Sequence, residues 1–190
     1  MPKTDTIRVG LGISTRKEHL QAARDALGMA QMQLGSAPAD LAIVVSSPEF
    51  AHSGTLNAIK NALGPTPLVG ASSRAVISTH GVDKHGLAVL LVKFPEATFC
   101  HAACVQDIKN KSGMDAGEEL GEKLLRGFKG FQKDFGFVLS DVPAQMNSGI
   151  IAGLKEKLGA SFPLVGVNLF DHLRATGFTV YFEQYPLKDA

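Results

Sequence analysis

Apolar positions follow helical and strand spacings in turn along the chain, and this order predicts an α/β fold. From Leu20 to Leu34 apolar residues recur at intervals of three and four, which predicts an amphipathic helix. Leu41 to Val45 is a continuous apolar run, which predicts a strand buried on both faces. The stretch from Leu56 to Leu63 again has helical spacing, and Pro67 to Gly70 predicts a further strand.

Turn and capping signals set the expected limits of the remaining elements in this half of the chain. Ile7 to Ile13 is rich in residues that favour strands. The sequence Thr15 to Glu18 has the pattern of a capping box, with Thr as the N-cap, so the first helix is expected to begin there. Ala75 to Thr79 and Leu87 to Phe94 are predicted to pair as a hairpin, because turn-forming residues separate them.

The pattern then repeats in the second half of the chain. Residues 53–64, SGTLNAIKNALG, return as residues 148–159, SGIIAGLKEKLG, and the sequence Pro-Leu-Val-Gly occurs at both 67–70 and 163–166. A strand from Thr98 to Val105 and a helix capped by Ser112 are expected to open this second copy. The repeat predicts an α/β fold of two tandem β-α-β-α-β-β units, residues 1–95 and 96–190, related by a pseudo-two-fold axis within one compact domain. Either one mixed sheet or two, with flanking helices, fits the pattern.

Composition excludes several classes of partner. The 190 residues include 19 basic and 18 acidic side chains, for a net charge of +1, and no face gathers Lys and Arg with aromatic residues. Nucleic acid is therefore not an expected partner. The amino terminus is polar, and no apolar run is long enough to span a membrane. Cys100 and Cys104 are expected to be small buried side chains, which predicts a reducing, cytoplasmic environment.

Several short motifs resemble those of the FIST sensory domain family. Ala42 to Ser47, the helix that follows, and Leu68 to Ile77 are similar to the family's amino-terminal domain, in which a strand and a helix precede a turn of valine, glycine, a small residue and serine. Leu164 to Asp171 lies where the family has two glycines, two small residues and aspartate, with Val167 and Asn168 as departures. The chain ends at residue 190 without the family's carboxy-terminal segment or an output domain. The resemblance implies a cytosolic signal-input domain that binds small ligands, amino acids among those proposed, and that acts on a signalling partner protein.

The candidate ligand site follows from where polar residues end the predicted strands. In α/β folds, ligands bind beyond the carboxyl ends of the strands. Arg74 offers a forked cation for a carboxylate, and Asp141 or Asp171 offers an anion for an ammonium group, so the two halves together are suited to an amino acid. A cap on the following helix, which carries Ile151, Leu154 and Leu158, is the alternative role of Asp141. The predicted site residues are Ser46, Ser47, Gly70, Ser72, Ser73, Arg74, Ser140, Asp141, Gly166, Asn168 and Asp171.

Other chemistries are less well supported by the sequence. The pair Gly10 and Gly12 lacks the third glycine of a dinucleotide fingerprint, so no cofactor is expected. His80 and His85 flank a loop and are interpreted as solvated residues, so no metal is expected either.

Two alternatives to a binding module remain open, which leaves enzymatic activity undecided. One is a small serine hydrolase, using Ser72 or Ser140 with His172 and Asp171. The other is a scaffold that pairs edge to edge with a second copy of the chain as a homodimer.

Overall fold

The computed structural model describes residues 6–78, 81–96, 98–128, 133–169 and 178–190. These residues form four α-helices and ten β-strands, which confirms the predicted mixed α/β class. The helices are α1 (His19–Leu34), α2 (Ser53–Leu63), α3 (Gly113–Gly127) and α4 (Ala144–Leu158). The strands are β1 (Arg8–Ser14), β2 (Leu41–Ser46), β3 (Leu68–Ser72), β4 (Val76–Ser78), β5 (Gly81–Asp83), β6 (Leu87–Lys93), β7 (Gly136–Ser140), β8 (Leu164–Asn168), β9 (Val180–Phe182) and β10 (Tyr185–Leu187). Short 3-10 helices cover Pro48–Phe50 and Ile108–Asn110.

The chain divides into two compact units. The first unit contains Met1–Cys100 together with Tyr181–Pro186, and the second contains His101–Val180 together with Leu187–Ala190. The predicted pseudo-two-fold axis and the predicted boundary between residues 95 and 96 stay predictions.

The first unit is built on a six-stranded sheet in the order β1-β6-β2-β3-β9-β10. Strands β1 and β2 both run antiparallel to β6, and β2 runs parallel to β3, so β1, β2 and β3 point in the same direction. Alternate residues of β2 are buried, and the intervening ones are half-buried, so the prediction of a strand buried on both faces is only partly right. The buried side chains of β2 join the main core with side chains from β3, β6, α1 and α2.

Two glycines of β1 allow α1 to lie close to the sheet. A Cβ atom at Gly10 would lie 2.0 Å from the carbonyl oxygen of Ala30, and one at Gly12 would lie 1.8 Å from that of Ala26. No larger residue fits either position without moving the backbone of the helix. These glycines therefore serve helix packing.

The second unit packs α3 against α4 beside the parallel pair of β7 and β8. Glycines again set the spacing, because a Cβ at Gly117 would lie 2.2 Å from the carbonyl oxygen of Ile150 and one at Gly153 would lie 2.3 Å from that of Met114. Val142, Ile150 and Leu154 are central to the core of this unit. Ser112 caps α3 as predicted, its hydroxyl accepting from the backbone N–H of Asp115.

Strand-helix-strand segments in the two units match in detail. In β2-α2-β3, Ala42 donates to the carbonyl of Pro67 at one end and Ser73 donates to that of Ser46 at the other. In β7-α4-β8, the equivalent bonds join Gly136 to Pro163 and Leu169 to Ser140, with lengths of 2.7–2.9 Å in all four cases. The sequence repeat is therefore also a repeat of local structure.

Three predicted elements differ from the structure. The hairpin of Ala75–Thr79 with Leu87–Phe94 is wrong, because β4 pairs with β5, whereas the aliphatic strand β6 lies between β1 and β2. The first helix does not use Thr15 as its N-cap; its N-cap is Glu18, whose carboxylate accepts from the N–H groups of Leu20 and Gln21.

The predicted strand from Thr98 to Val105 is also wrong, because the described residues 98–107 contain no strand. In the first half the corresponding strand is β1, whose neighbour in the sheet is β6. In the second half the last two strands, β9 and β10, instead pair beside β3 in the sheet of the first unit. Within the described part of the chain, the segment thus has no partner strand. Part of it lies against α3, where the Lys123 ammonium donates to the carbonyl of Cys104 over 2.9 Å.

Candidate functional site

Three strands of the first unit end in buried serines at the same end of the sheet. Ser14, Ser46 and Ser72 are the last residues of β1, β2 and β3 and are 5%, 0% and 1% exposed. Helices α1 and α2 begin a few residues beyond the first two of these strands. We call this region the carboxyl end of the first-unit sheet, and it is where α/β proteins usually bind ligands.

A buried cluster of hydroxyl groups lies at this end of the sheet. Ser46 and Ser72 are register partners on adjacent strands. The Ser46 hydroxyl donates to the carbonyl of Ser47 over 2.9 Å and lies 2.7 Å from the Tyr181 hydroxyl, which also hydrogen-bonds Ser72. Burial raises the pKa of Tyr181 to about 12, although the bonds to both serines act in the opposite direction. The phenol is therefore protonated and available as a donor at neutral pH.

Ser47 fastens the chain after β2 to the loop before β6. Its N–H donates to the carbonyl of Gly86 over 2.8 Å, and its hydroxyl accepts from the N–H of Gly86 over 3.0 Å. This residue, predicted to line the site, thus holds the backbone beside the hydroxyl cluster.

An acid-imidazole pair lies in the same region. The Glu49 carboxylate pairs with Nδ1 of His85, and both side chains are about two-fifths exposed, at 38% and 40%. Burial raises the pKa of Glu49, but hydrogen bonds from its own N–H, from Ser47 and from His85 outweigh that effect, and the pKa lies below its ordinary value. Glu49 is therefore an anion that remains accessible to solvent.

Four rings form a row along this end of the sheet, which we call the aromatic row: His52, His19, Phe50 and His85. Successive ring centroids are 4.3, 5.5 and 4.9 Å apart. Phe50 is fully buried at the centre of the row. Burial, followed by the charge of His19, lowers the pKa of His52.

The remaining predicted residues of the first unit have different surroundings. Ser73 is half-buried, and its N–H donates to the carbonyl of Ser46 over 2.7 Å. Arg74 follows it and is exposed. Gly70 is buried inside β3, where a Cβ would lie 1.9 Å from the carbonyl oxygen of Val44. Its lack of a side chain therefore allows β2 to approach β3.

The equivalent strand ends in the second unit carry a serine hydroxyl and an asparagine amide. Ser140 and Asn168 are register partners at the ends of β7 and β8. The Ser140 hydroxyl donates to Oδ1 of Asn147 over 3.4 Å, and the Asn168 amide donates to the carbonyl of Val142 over 3.1 Å. Gly166 repeats the role of Gly70, because its Cβ would lie 2.3 Å from the carbonyl oxygen of Val138.

Asp141 does not cap α4. The N-cap of that helix is Pro143, which provides no side-chain bond, so the capping alternative is wrong. The pKa of Asp141 lies above its ordinary value, mainly because the side chain is partly buried. The bond donated by the Asp189 N–H lowers this pKa, whereas the nearby Asp189 carboxylate raises it. Asp171, the other acid predicted to bind a ligand ammonium group, lies outside the described residues. His80 and His172 also lie outside them.

The structure thus gathers the predicted residues into two groups. Ser46, Ser47, Gly70, Ser72, Ser73 and Arg74 belong to the first unit, whereas Ser140, Asp141, Gly166 and Asn168 belong to the second. A joint grip on one ligand by Arg74 and an acid of the second unit stays a prediction.

Sequence reasoning missed Tyr181, Glu49 and His19 and interpreted His85 as a solvated loop residue. Tyr181 has no local signal, because it lies 135 positions from Ser46, its partner in the hydroxyl cluster. Glu49 and His19 carried a weak signal, since both lie shortly after a predicted strand end.

Other features of the described residues lie elsewhere. A surface depression of about 290 Å³ is lined by Leu34, Pro38, Leu63 and neighbouring residues at the opposite end of the first-unit sheet. The described part of the chain contains no group of three or more His, Cys, Asp or Glu that can hold a metal ion. No helix within it has the length and apolar character needed to cross a membrane.

Comparison with known proteins identifies a family for this chain. A family model described as "FIST N domain" matches residues 40–190, which confirms the resemblance seen in the sequence motifs. FIST domains form a sensory domain family. No curated protein and no solved structure matches the chain.

Proposed function

The chain belongs to the FIST N domain family, and we propose that it is a signal-input domain that binds a small polar metabolite at the carboxyl end of the first-unit sheet. The observation that carries this proposal is the cluster of Ser46, Ser72 and Tyr181 hydroxyls at the ends of two adjacent parallel strands. Buried hydroxyls next to an accessible charged pair are the kind of polar group that fixes a small ligand.

Charges of both signs support an amino acid as the first ligand class to test. Arg74 follows the end of β3 and is suited to a carboxylate. Glu49 follows the end of β2, is ionised at neutral pH and is accessible to an ammonium group. In this proposal Glu49 supplies within the first unit the anion that the sequence suggested would come from the second.

A sensory domain also needs an output. We propose that the ligand signal is passed to a partner protein and that the protein acts in the cytoplasm. The two free cysteines support a reducing compartment.

A thermal-shift screen tests this proposal. The panel contains L-amino acids, sugars, nucleotides and chromogenic esters, and a ligand present at about 100 times its Kd adds about 2.7 kcal/mol to the free energy of unfolding. We expect at least one amino acid to raise Tm in a concentration-dependent way. Turnover of an ester would favour the hydrolase, and a flat screen from a tight dimer would favour the scaffold.

A further inference from the structure

His52 caps α2 in a way that requires a neutral imidazole. Nδ1 of His52 accepts from the backbone N–H of Thr55 over 3.4 Å, and Nε2 lies 3.1 Å from the Thr55 hydroxyl. Because Nδ1 accepts, the single proton of the neutral ring is on Nε2, which donates to the hydroxyl. One tautomer satisfies both contacts.

We propose that His52 is a proton-operated cap, so that acidification releases the first turn of α2 at the carboxyl end of the first-unit sheet. The capped turn follows the chain from Ser46 through Glu49, so the same event disturbs the proposed ligand site. We therefore expect acidification to weaken ligand binding as well. This expectation rests on the proposed function, whereas the cap itself does not.

Three effects of protonation act in the same direction. A protonated imidazole has no acceptor, so the bond from the N–H of Thr55 is lost. The new positive charge stands at a helix N-terminus, where the helix dipole disfavours it. The ring centroid of His19 is 4.3 Å from that of His52, and His19 lowers the pKa of His52 and so disfavours the protonated ring.

Among the residues that the structure describes, the groups around His52 do not neutralise this charge. On the side of α1 the neighbour is His19, and the adjacent Glu18 carboxylate is engaged as the cap of α1. Along the aromatic row, Glu49 is paired with His85 beyond the buried ring of Phe50. On the side of α2, Thr55 is uncharged, and Gly54 lies under the ring, where a Cβ would be 3.1 Å from it.

The direction of the pH effect follows from the His52 pKa, which burial and His19 lower in the folded protein. The unfolded chain then binds the proton more readily than the folded protein does. The contribution of the cap is therefore complete above about pH 6.5 and is lost as the pH falls below that value.

Amide hydrogen exchange at Thr55 tests the cap without any ligand. Between pH 7.5 and 5.5, after correction for the intrinsic rate, we expect protection in the wild-type protein to fall about five- to tenfold, as for a lost helix cap. His52→Ser retains an acceptor that does not titrate and is expected to keep the same protection at both pH values. The first turn of α4, whose N-cap Pro143 has no side-chain bond, is the internal control.

Two results would contradict the proton-operated cap. One is unchanged protection of the Thr55 amide in the wild-type protein at pH 5.5, and the other is an equal loss of that protection in His52→Ser. A failure of the proposed function looks different, because no compound of the ligand panel would then shift Tm at either pH, whatever the exchange at Thr55 shows.

Discussion

Gly70 and Gly166 hold the same position in two different strand pairs, opposite Val44 and Val138. At each position a Cβ would lie within 2.3 Å of the carbonyl oxygen of the register partner. Sequence analysis found both glycines in the repeat and placed them among the predicted ligand-site residues. The structure gives them a packing role that sequence spacing does not reveal, because the register of the strands decides which atom faces them.

Gly70→Ala is expected to lower the free energy of unfolding by about 3 kcal/mol or more, because a backbone carbonyl cannot move away as a side chain can. Gly28→Ala is the matched control. Gly28 lies inside α1 with nothing within 4 Å of its missing Cβ, so alanine is expected to stabilise the protein by about 1 kcal/mol. Urea denaturation of both variants measures the difference, and equal stabilities would contradict the packing role.

The Tyr181 hydroxyl is expected to contribute to stability through Ser46 and Ser72. Tyr181→Phe leaves these two buried serines with one partner fewer and is expected to cost about 1 to 2 kcal/mol. Tyr185→Phe is the control, because Tyr185 is 55% exposed. If thermal or chemical denaturation shows the same stability for the two variants, the hydroxyl cluster does not hold β9 to the sheet.

The placement of polar residues at strand ends could be read from the sequence where the signal was local, and their binding of a ligand stays a prediction. The rule that ligands bind beyond strand ends identified Ser46 and Ser72, and the two residues are register partners at those ends. It did not identify Tyr181, since nothing near Tyr181 in the sequence indicates that β9 pairs beside β3.

Among the elements, α1 shows how a capping pattern can be shifted along the chain. Thr15 and Glu18 fit the capping-box pattern, but the helix begins after Glu18, whose carboxylate satisfies two N–H groups at 2.9 and 2.7 Å. Both capping schemes are consistent with the same four residues. Only the backbone path after β1 distinguishes them.

Glu18→Ala is expected to accelerate amide exchange at Leu20 and Gln21, because the acceptor for both N–H groups is removed. The same bonds are the largest cause that lowers the pKa of Glu18. They should therefore weaken in the wild-type protein as acidification protonates the carboxylate. Thr15→Ala serves as the comparison and should leave both amides unchanged. Faster exchange in Thr15→Ala, with Glu18→Ala unaffected, would restore the original capping box.

On the scale of the whole molecule, the sequence repeat predicted the class of fold but not the pairing of every strand. The two strand-helix-strand segments repeat down to their terminal hydrogen bonds. The flanking strands differ, because β6 joins β1 and β2, whereas the hairpin of β9 and β10 joins β3. Short strands such as β9, of three residues, contain too little pattern to specify a partner.

A scaffold that pairs edge to edge with a second copy of the chain would use the edge strands of a sheet. In the sheet of the first unit these are β1 and β10. The N–H of Leu11 in β1 donates to the Gln33 side chain over 3.0 Å, and β10 contains Pro186, which has no N–H. Both features are typical of edges protected against pairing with another chain. They weigh against a scaffold formed through these two strands.

Ligand binding at the carboxyl end of the first-unit sheet is the central claim, and isothermal titration of Arg74→Ala tests it most directly. The ligand is an L-amino acid that raises Tm of the wild-type protein in the screen, and Arg24→Ala, an exposed arginine on α1, is the control. We expect Arg74→Ala to weaken binding by about 1.5 to 3 kcal/mol and Arg24→Ala to leave it unchanged. Equal affinities for the two variants would contradict this site and would direct the search to the depression at the opposite end of the sheet.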